Sequence, residues 1–161
     1  MTTPSANALP GAVRRRGPAR VLVALAVAAA LGACAQQPQP QGAGAATPGS
    51  PQDFVVNVGD RVFFEVDQSN INSTAAATLD RQARWLAQYP RYTVLIEGHA
   101  DERGTREYNI ALGARRASAV RSYLASRGVA QSRMRTISYG KERPVAVCDD
   151  ESCWSQNRRA V

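Results

Sequence analysis

At 161 residues the chain has room for one ordinary domain plus a leader, because single cores of ~100 to 150 residues are the common size. Its formal net charge of +7 would suit a nucleic-acid partner, but Arg14, Arg15, Arg16 and Arg20 all lie in the first 33 residues, which hold no acid, so the remainder carries 16 basic and 13 acidic residues. That balance is an ordinary protein surface, and no nucleic-acid partner is expected.

Val21 to Leu31 is an uninterrupted apolar run behind the basic segment. It is too short for the ~20 residues needed to span a bilayer, and it reads as the apolar region of a signal peptide covering residues 1–33. Leu31-Gly32-Ala33-Cys34 resembles the lipobox of bacterial lipoproteins, in which cleavage precedes a cysteine that is then acylated. The resemblance implies a lipid on Cys34. Ala35 stands where inner-membrane retention usually shows Asp, which implies the periplasmic face of the outer membrane. A single acyl chain holds a protein only marginally; processed lipoproteins of this kind carry three.

Export bears on the other cysteines. In an oxidising compartment Cys148 and Cys153 can close a short disulfide loop, or they stand as two free thiols. A metal site on this pair would need further ligands, and the only histidine, His99, is far away in sequence, so neither metal nor cofactor is expected.

Residues 34–53, rich in Pro, Gln, Gly, Ala and Ser, offer no periodic apolar pattern and read as a flexible tether from Cys34. Fully extended, the stretch after Cys34 reaches at most ~65 Å. The domain is expected over 54–161. Val62, Phe64 and Val66 alternate with Arg61, Phe63 and Glu65, a strand pattern, and Asp67 to Asn70 forms a turn. Asn72 or Ser73 caps a helix whose apolar face is Ala75, Ala76, Leu79, Ala83 and Leu86, ending before Pro90. Tyr92 to Glu97, with three successive large apolar residues, suits a central strand covered on both faces.

Gly98 to Gly104 is a loop, and Thr105 caps a second helix, with Glu107 placed well for the helix dipole. Its core face is Leu112, Ala117, Val120 and Leu124. Gly128 stands where a left-handed C-terminal residue is wanted, followed by apolar Val129. Arg133 to Tyr139 reads as a third strand, Ser155 to Arg158 as a last helical turn, and Arg159 to Val161 as a short final strand. Strands alternating with helices give an α+β fold of βαβαβαβ order with helices packed on a mixed sheet.

Asn109 and Arg116 lie seven residues apart in the second helix, which at ~100° per residue places them on one face. Asp101 sits in the loop just before that helix. An acid and a guanidinium can therefore flank one shallow site, or simply pair with each other. His99 beside Gly98 reads as a loop-packing residue, Glu102 and Arg103 as surface or partner contacts, and Arg115 as a solvated neighbour. Ser118 and Ser122 lack a nucleophile's setting, and no nucleophile with its base is apparent, so an enzyme is not expected.

Gly98-His-Ala-Asp-Glu-Arg-Gly-Thr105, then Glu107-Tyr-Asn-Ile-Ala-Leu-Gly-Ala-Arg-Arg-Ala117, Tyr139-Gly-Lys-Glu-Arg-Pro144 and Asn157-Arg-Arg-Ala-Val161 resemble the peptidoglycan-associated lipoproteins of the OmpA-like domain family. The likeness runs from about Val62 to the end. It implies noncovalent binding to the diaminopimelate of the peptidoglycan stem peptide through Asp101, Arg116 and Asn109, with Asp67 a further position. It also implies TolB and other Tol proteins as partners, and a role in tethering the outer membrane to the wall that supports envelope integrity and division. Diaminopimelate carries an ammonium and a carboxylate on one side-chain carbon, so a facing Asp101 and Arg116 would complement both charges. A lysine stem would leave Arg116 unpaired.

Overall fold

The computed structural model describes residues 46–161. The expected leader, the lipobox with Cys34 and the start of the tether lie outside the described residues. In chain order the elements are α1 (Pro51–Asp53), a π-helical turn (Phe54–Gly59), β1 (Val62–Phe63), α2 (Ser73–Gln88), β2 (Val94–His99), α3 (Arg106–Ser126), a 3-10 turn (Gln131–Arg133), β3 (Met134–Gly140), α4 (Glu151–Asn157) and β4 (Arg159–Ala160). The βαβαβαβ order holds, with a short helical entry added in front.

That entry corrects the tether's boundary at residue 53. Asp53 is buried and accepts hydrogen bonds from the Gly49 amide, the Asn57 amide nitrogen and the Trp85 indole, each at 2.8 Å. The Gly49 carbonyl in turn accepts from the Tyr92 hydroxyl and from Arg91. Phe54 packs edge-on against Trp85, whose ring also meets Tyr89 and Tyr92. Composition alone makes residues 49–53 look unstructured. One buried carboxylate with three donors fixes them instead.

The sheet runs β1-β4-β2-β3. β2 pairs with β3 in parallel, while β4 is antiparallel to β1 and β2, so the sheet is mixed as expected. β1 stops at Phe63 rather than reaching Val66, because beyond Phe64 the chain bends through Asp67, which has a left-handed φ of 56°. The expected double burial of β2 is also corrected: Ile96 is buried but Leu95 is 49% exposed. Its helix-covered face joins Leu79, Leu86, Ala117, Val120 and Leu124 in one core.

Helix ends follow local chemistry. Asn72, not Ser73, caps α2, its side chain accepting from the Ala75 amide at 2.8 Å. Thr105 caps α3, and after Gly128, at φ 93°, the Val129 amide returns to the Leu124 carbonyl, a closure that needs the left-handed residue. Helix α4 starts earlier than the expected turn at Ser155, because Asp150 caps it through the Ser152 amide. Cys148 and Cys153 are disulfide-bonded across that start, with Cα atoms 5.6 Å apart.

Candidate binding site

Three segments converge at the end of β2 that leads into α3: the turn after β1, the loop from Ala100 to Thr105, and the first half of α3. They enclose a cavity of ≈ 310 Å³ bordered by Asp67, Asp101, Arg103, Tyr108, Asn109 and Arg116, with Val66 and Leu112 as apolar wall. All four residues the sequence singles out for the site thus border one cavity, but not in the roles expected.

Arg116 is wholly buried. Its Nε donates to the Gln68 carbonyl at 2.8 Å, Nη1 to the His99 carbonyl at 2.7 Å and Nη2 to the Glu65 carbonyl at 3.1 Å, while its carbon stands 5.2 Å from the Phe64 ring centroid. The expectation of an open guanidinium facing Asp101 is therefore corrected. The rigid fork of five N–H donors suits a cluster of backbone carbonyls, and it ties the turn after β1 to the end of β2. Burial lowers its pKa to about 10, partly offset by the nearby Asp101 charge. It remains protonated at neutral pH and lends the cavity floor a fixed positive charge.

Asp101 pairs elsewhere. Its Oδ2 accepts from Arg103 Nη2 at 2.7 Å and from Arg158 Nη1 at 3.3 Å, and its Oδ1 accepts from the Arg103 amide and Nε. Burial alone would raise this carboxyl, but the bonds from Arg103 and Arg158 outweigh it and hold the group below its usual range. Arg158 is itself buried and also donates to Glu151 and to the Phe64 carbonyl.

The loop carrying Asp101 is clamped from three sides. Lys141 Nζ donates to the Glu102 and Gly104 carbonyls at 2.9 and 2.7 Å, the Trp154 indole donates to Glu102, and the buried Asn109 amide donates to the Arg103 carbonyl at 2.7 Å. At the rim the Tyr108 hydroxyl donates to Asp67, whose carboxylate is aimed there by the left-handed backbone at that residue.

A family model described as OmpA family matches residues 63–158. The chain belongs to the OmpA family. Among its relatives, a peptidoglycan-associated lipoprotein of Rhizobium meliloti is 65% identical, the match covering 94% of this chain and 92% of that one. One of Brucella melitensis is 72% identical over 74% of this chain and 71% of its own. The crystal structure of the peptidoglycan-associated lipoprotein from Burkholderia pseudomallei superposes with a TM-score of 0.65 at 42% identity, covering 69% of this chain and 96% of that one. The C-terminal domain of MotB from Helicobacter pylori gives a TM-score of 0.59 at 26% identity, covering 63% and 81%.

Within this OmpA-family domain, sequence reading missed Arg103, Tyr108, Arg158, Lys141 and Trp154 as parts of the site. Arg158 and Trp154 carry no local signal, since their partners Asp101 and Glu102 lie more than fifty residues away in the chain. Arg103, within the loop, reads from sequence only as a surface or partner contact.

His99, expected to be a packing residue, is 2% exposed beside the site, and among the described residues neither ring nitrogen has a hydrogen-bond partner. Its ring lies against Tyr139, with Glu97 Oε2 3.6 Å from Nε2. Burial, then the charges of Arg159 and Arg143, push its pKa down to about 4 from 6.5. The native state therefore binds fewer protons than the unfolded chain, and the associated stability is complete above pH 6.5 and lost as pH falls from there towards 4. A loss of about 3 kcal/mol is expected from this residue. Urea titrations at pH 7 and pH 4 should differ by that much less in His99→Leu than in the wild type; equal losses would assign acid sensitivity elsewhere.

Proposed function

We propose that this chain is a lipid-anchored envelope protein whose OmpA-family domain binds peptidoglycan noncovalently, taking the diaminopimelate of the stem peptide into the cavity bordered by Asp67, Asp101 and Asn109. The observation that carries the proposal is a carboxylate, Asp101, held ionised in a cavity of ≈ 310 Å³, within the size range of sites for small ligand groups. An ammonium is the group such a carboxylate takes. Arg116 supports the reading from beneath, by fixing the walls and supplying positive potential for a carboxylate above it. Asp67 and Asn109 edge the same opening. The close relatives are named for association with peptidoglycan, and the function proposed is adhesion without catalysis.

The Leu31–Cys34 segment supports the lipid anchor, on Cys34. With that lipid in the outer membrane, facing the periplasm, wall binding would tether the membrane to the wall, with TolB and the other Tol proteins as partners. Residues 1–33 would be the removed leader, and the tether would run from Cys34 to the docked segment at 49–53. The disulfide of Cys148 and Cys153 fits an oxidising compartment.

Co-sedimentation with sacculi tests the proposal. The wild-type protein is expected to pellet with diaminopimelate-type sacculi and much less with lysine-type. Asp101→Asn should weaken the first interaction by ~1.5 to 3 kcal/mol, the usual worth of a charge-assisted hydrogen bond. Undiminished pelleting of a folded Asp101→Asn protein would remove the cavity from the account.

A further inference from the structure

We propose that Arg103 is the exchangeable cation of this site: an incoming ammonium displaces it from Asp101, and it then pairs with a carboxylate on the same ligand. The inference rests on the reading of the cavity as the diaminopimelate site, and it assigns the demand for a free side-chain carboxylate to Arg103 rather than to Arg116.

The geometry separates fixed cations from movable ones. Arg116 is wholly buried and its guanidinium is already committed to three carbonyls. Arg158 is 3% exposed and is tied to Glu151 and to the Phe64 carbonyl as well as to Asp101. Neither can turn outward without orphaning a buried group, which is costly. The Arg103 side chain is 41% exposed, and its hydrogen bonds go to Asp101 alone. Its guanidinium rests 4.2 Å from the Trp154 ring centroid, a cation–π support that stays available when the carboxylate is given up.

Acceptor geometry makes the displacement necessary. A carboxylate offers about four lone-pair sites, and those of Asp101 are met by Arg103 Nε and Nη2, the Arg103 amide and Arg158 Nη1. Of these four donors, the two on the Arg103 side chain are the ones free to leave. A ligand ammonium must therefore take their place.

Charge pairing then gives selectivity. A ligand bearing ammonium and carboxylate on one carbon replaces the single Asp101–Arg103 pair by two pairs, Asp101 with the ammonium and Arg103 with the carboxylate. A lysine side chain brings the ammonium only, so Arg103 is displaced without a new partner. The preference for diaminopimelate is thereby produced by an internal competitor that only the zwitterionic ligand compensates.

The test uses the detergent-solubilised full chain and two soluble muropeptides, identical except for diaminopimelate or lysine at the third residue, with affinities read by calorimetry. The wild type should favour the diaminopimelate peptide by about tenfold or more, the worth of one charge-assisted pair. In Arg103→Gln the ratio should fall to within about twofold, with lysine-peptide affinity undiminished because the competitor is gone. Arg103→Lys, which keeps the charge, should restore part of the ratio. Tryptophan fluorescence should respond to the diaminopimelate peptide in the wild type and much less in Arg103→Gln, as the guanidinium resting on Trp154 exchanges one carboxylate partner for another.

An unchanged ratio in Arg103→Gln overturns the proposal, as does equal weakening of both peptides, which would mark a merely structural role. If the wild type binds neither peptide, the cavity reading fails and the exchange with it. If binding is lost in Asp101→Asn while Arg103→Gln keeps the wild-type ratio, the cavity reading stands and the exchange alone is wrong.

Discussion

Replacing Arg116 with methionine is expected to cost about 3 to 5 kcal/mol of folding free energy. Methionine fills much of the same space, but it leaves the Glu65, Gln68 and His99 carbonyls without the donors that satisfy them. The bond to the His99 carbonyl is buried, so losing its donor carries a desolvation penalty of about 1 to 3 kcal/mol, and the partly buried Glu65 and Gln68 carbonyls each add a smaller one. Lysine should recover only part of the loss, because a compact ammonium cannot reach three carbonyls in the spread of a guanidinium fork. Urea unfolding of the wild type, Arg116→Met and Arg116→Lys at pH 7 measures this directly. A deficit below about 1 kcal/mol for the methionine variant would mean those carbonyls find other donors. The variant should also bind wall fragments poorly, since the turn carrying Asp67 is held to the end of β2 through this side chain.

How far the molecule is readable from its sequence differs between backbone and site. Helix α3 was legible at both ends because the signals are local: Thr105 accepts from its own first turn, and Gly128 supplies the left-handed residue that lets Val129 close it. The seven-residue spacing of Asn109 and Arg116 placed both correctly on one face. What that spacing could not show is depth. The partners of Arg116 are backbone carbonyls 17, 48 and 51 residues away, and a carbonyl is common to every residue type, so nothing in the sequence marks those three.

Asp101 illustrates the same limit. The sequence offered Arg116 as its natural counterion, yet Arg158 reaches it from 57 residues away, delivered by the β4 pairing that sets the end of α4 against the end of β2. The docked segment at 49–53 was hidden for a related reason: its composition is that of a linker, and its fixation depends on Trp85, 32 residues beyond Asp53. Helix α4 is a different case. Its Asp150 cap was visible in the sequence, and reading the turn from Ser155 overlooked it.

Gly98→Ala should be the most damaging small substitution near the site. A Cβ on Gly98 would stand 1.8 Å from the Gly113 carbonyl oxygen and 2.6 Å from its carbonyl carbon, so β2 and α3 pack backbone to backbone at this point. Neither partner is a flexible side chain that could swing aside. Relief requires α3 to move away from the sheet, opening the contacts of Leu112, Ala117 and Val120 with the core, and a cost of about 3 kcal/mol or more is expected, near the upper range for overpacking. Gly113→Ala should be milder, because its Cβ meets backbone, the Gly98 oxygen, only at 2.7 Å, and its other close neighbour is the Ser138 hydroxyl, which can move at the expense of its bonds to Ile110 and Gly140. Gly98 precedes His99, whose carbonyl holds Arg116, and Gly113 lies between Asn109 and Arg116 on α3. Separating strand from helix therefore pulls Asp101 away from Asn109 and loosens the cavity floor in one movement. Denaturant midpoints together with sacculus binding should fall in the order wild type, Gly113→Ala, Gly98→Ala. A Gly98→Ala protein of wild-type stability would mean that α3 can ride outward freely, and the cavity would then lack the rigid walls that the proposed selectivity requires.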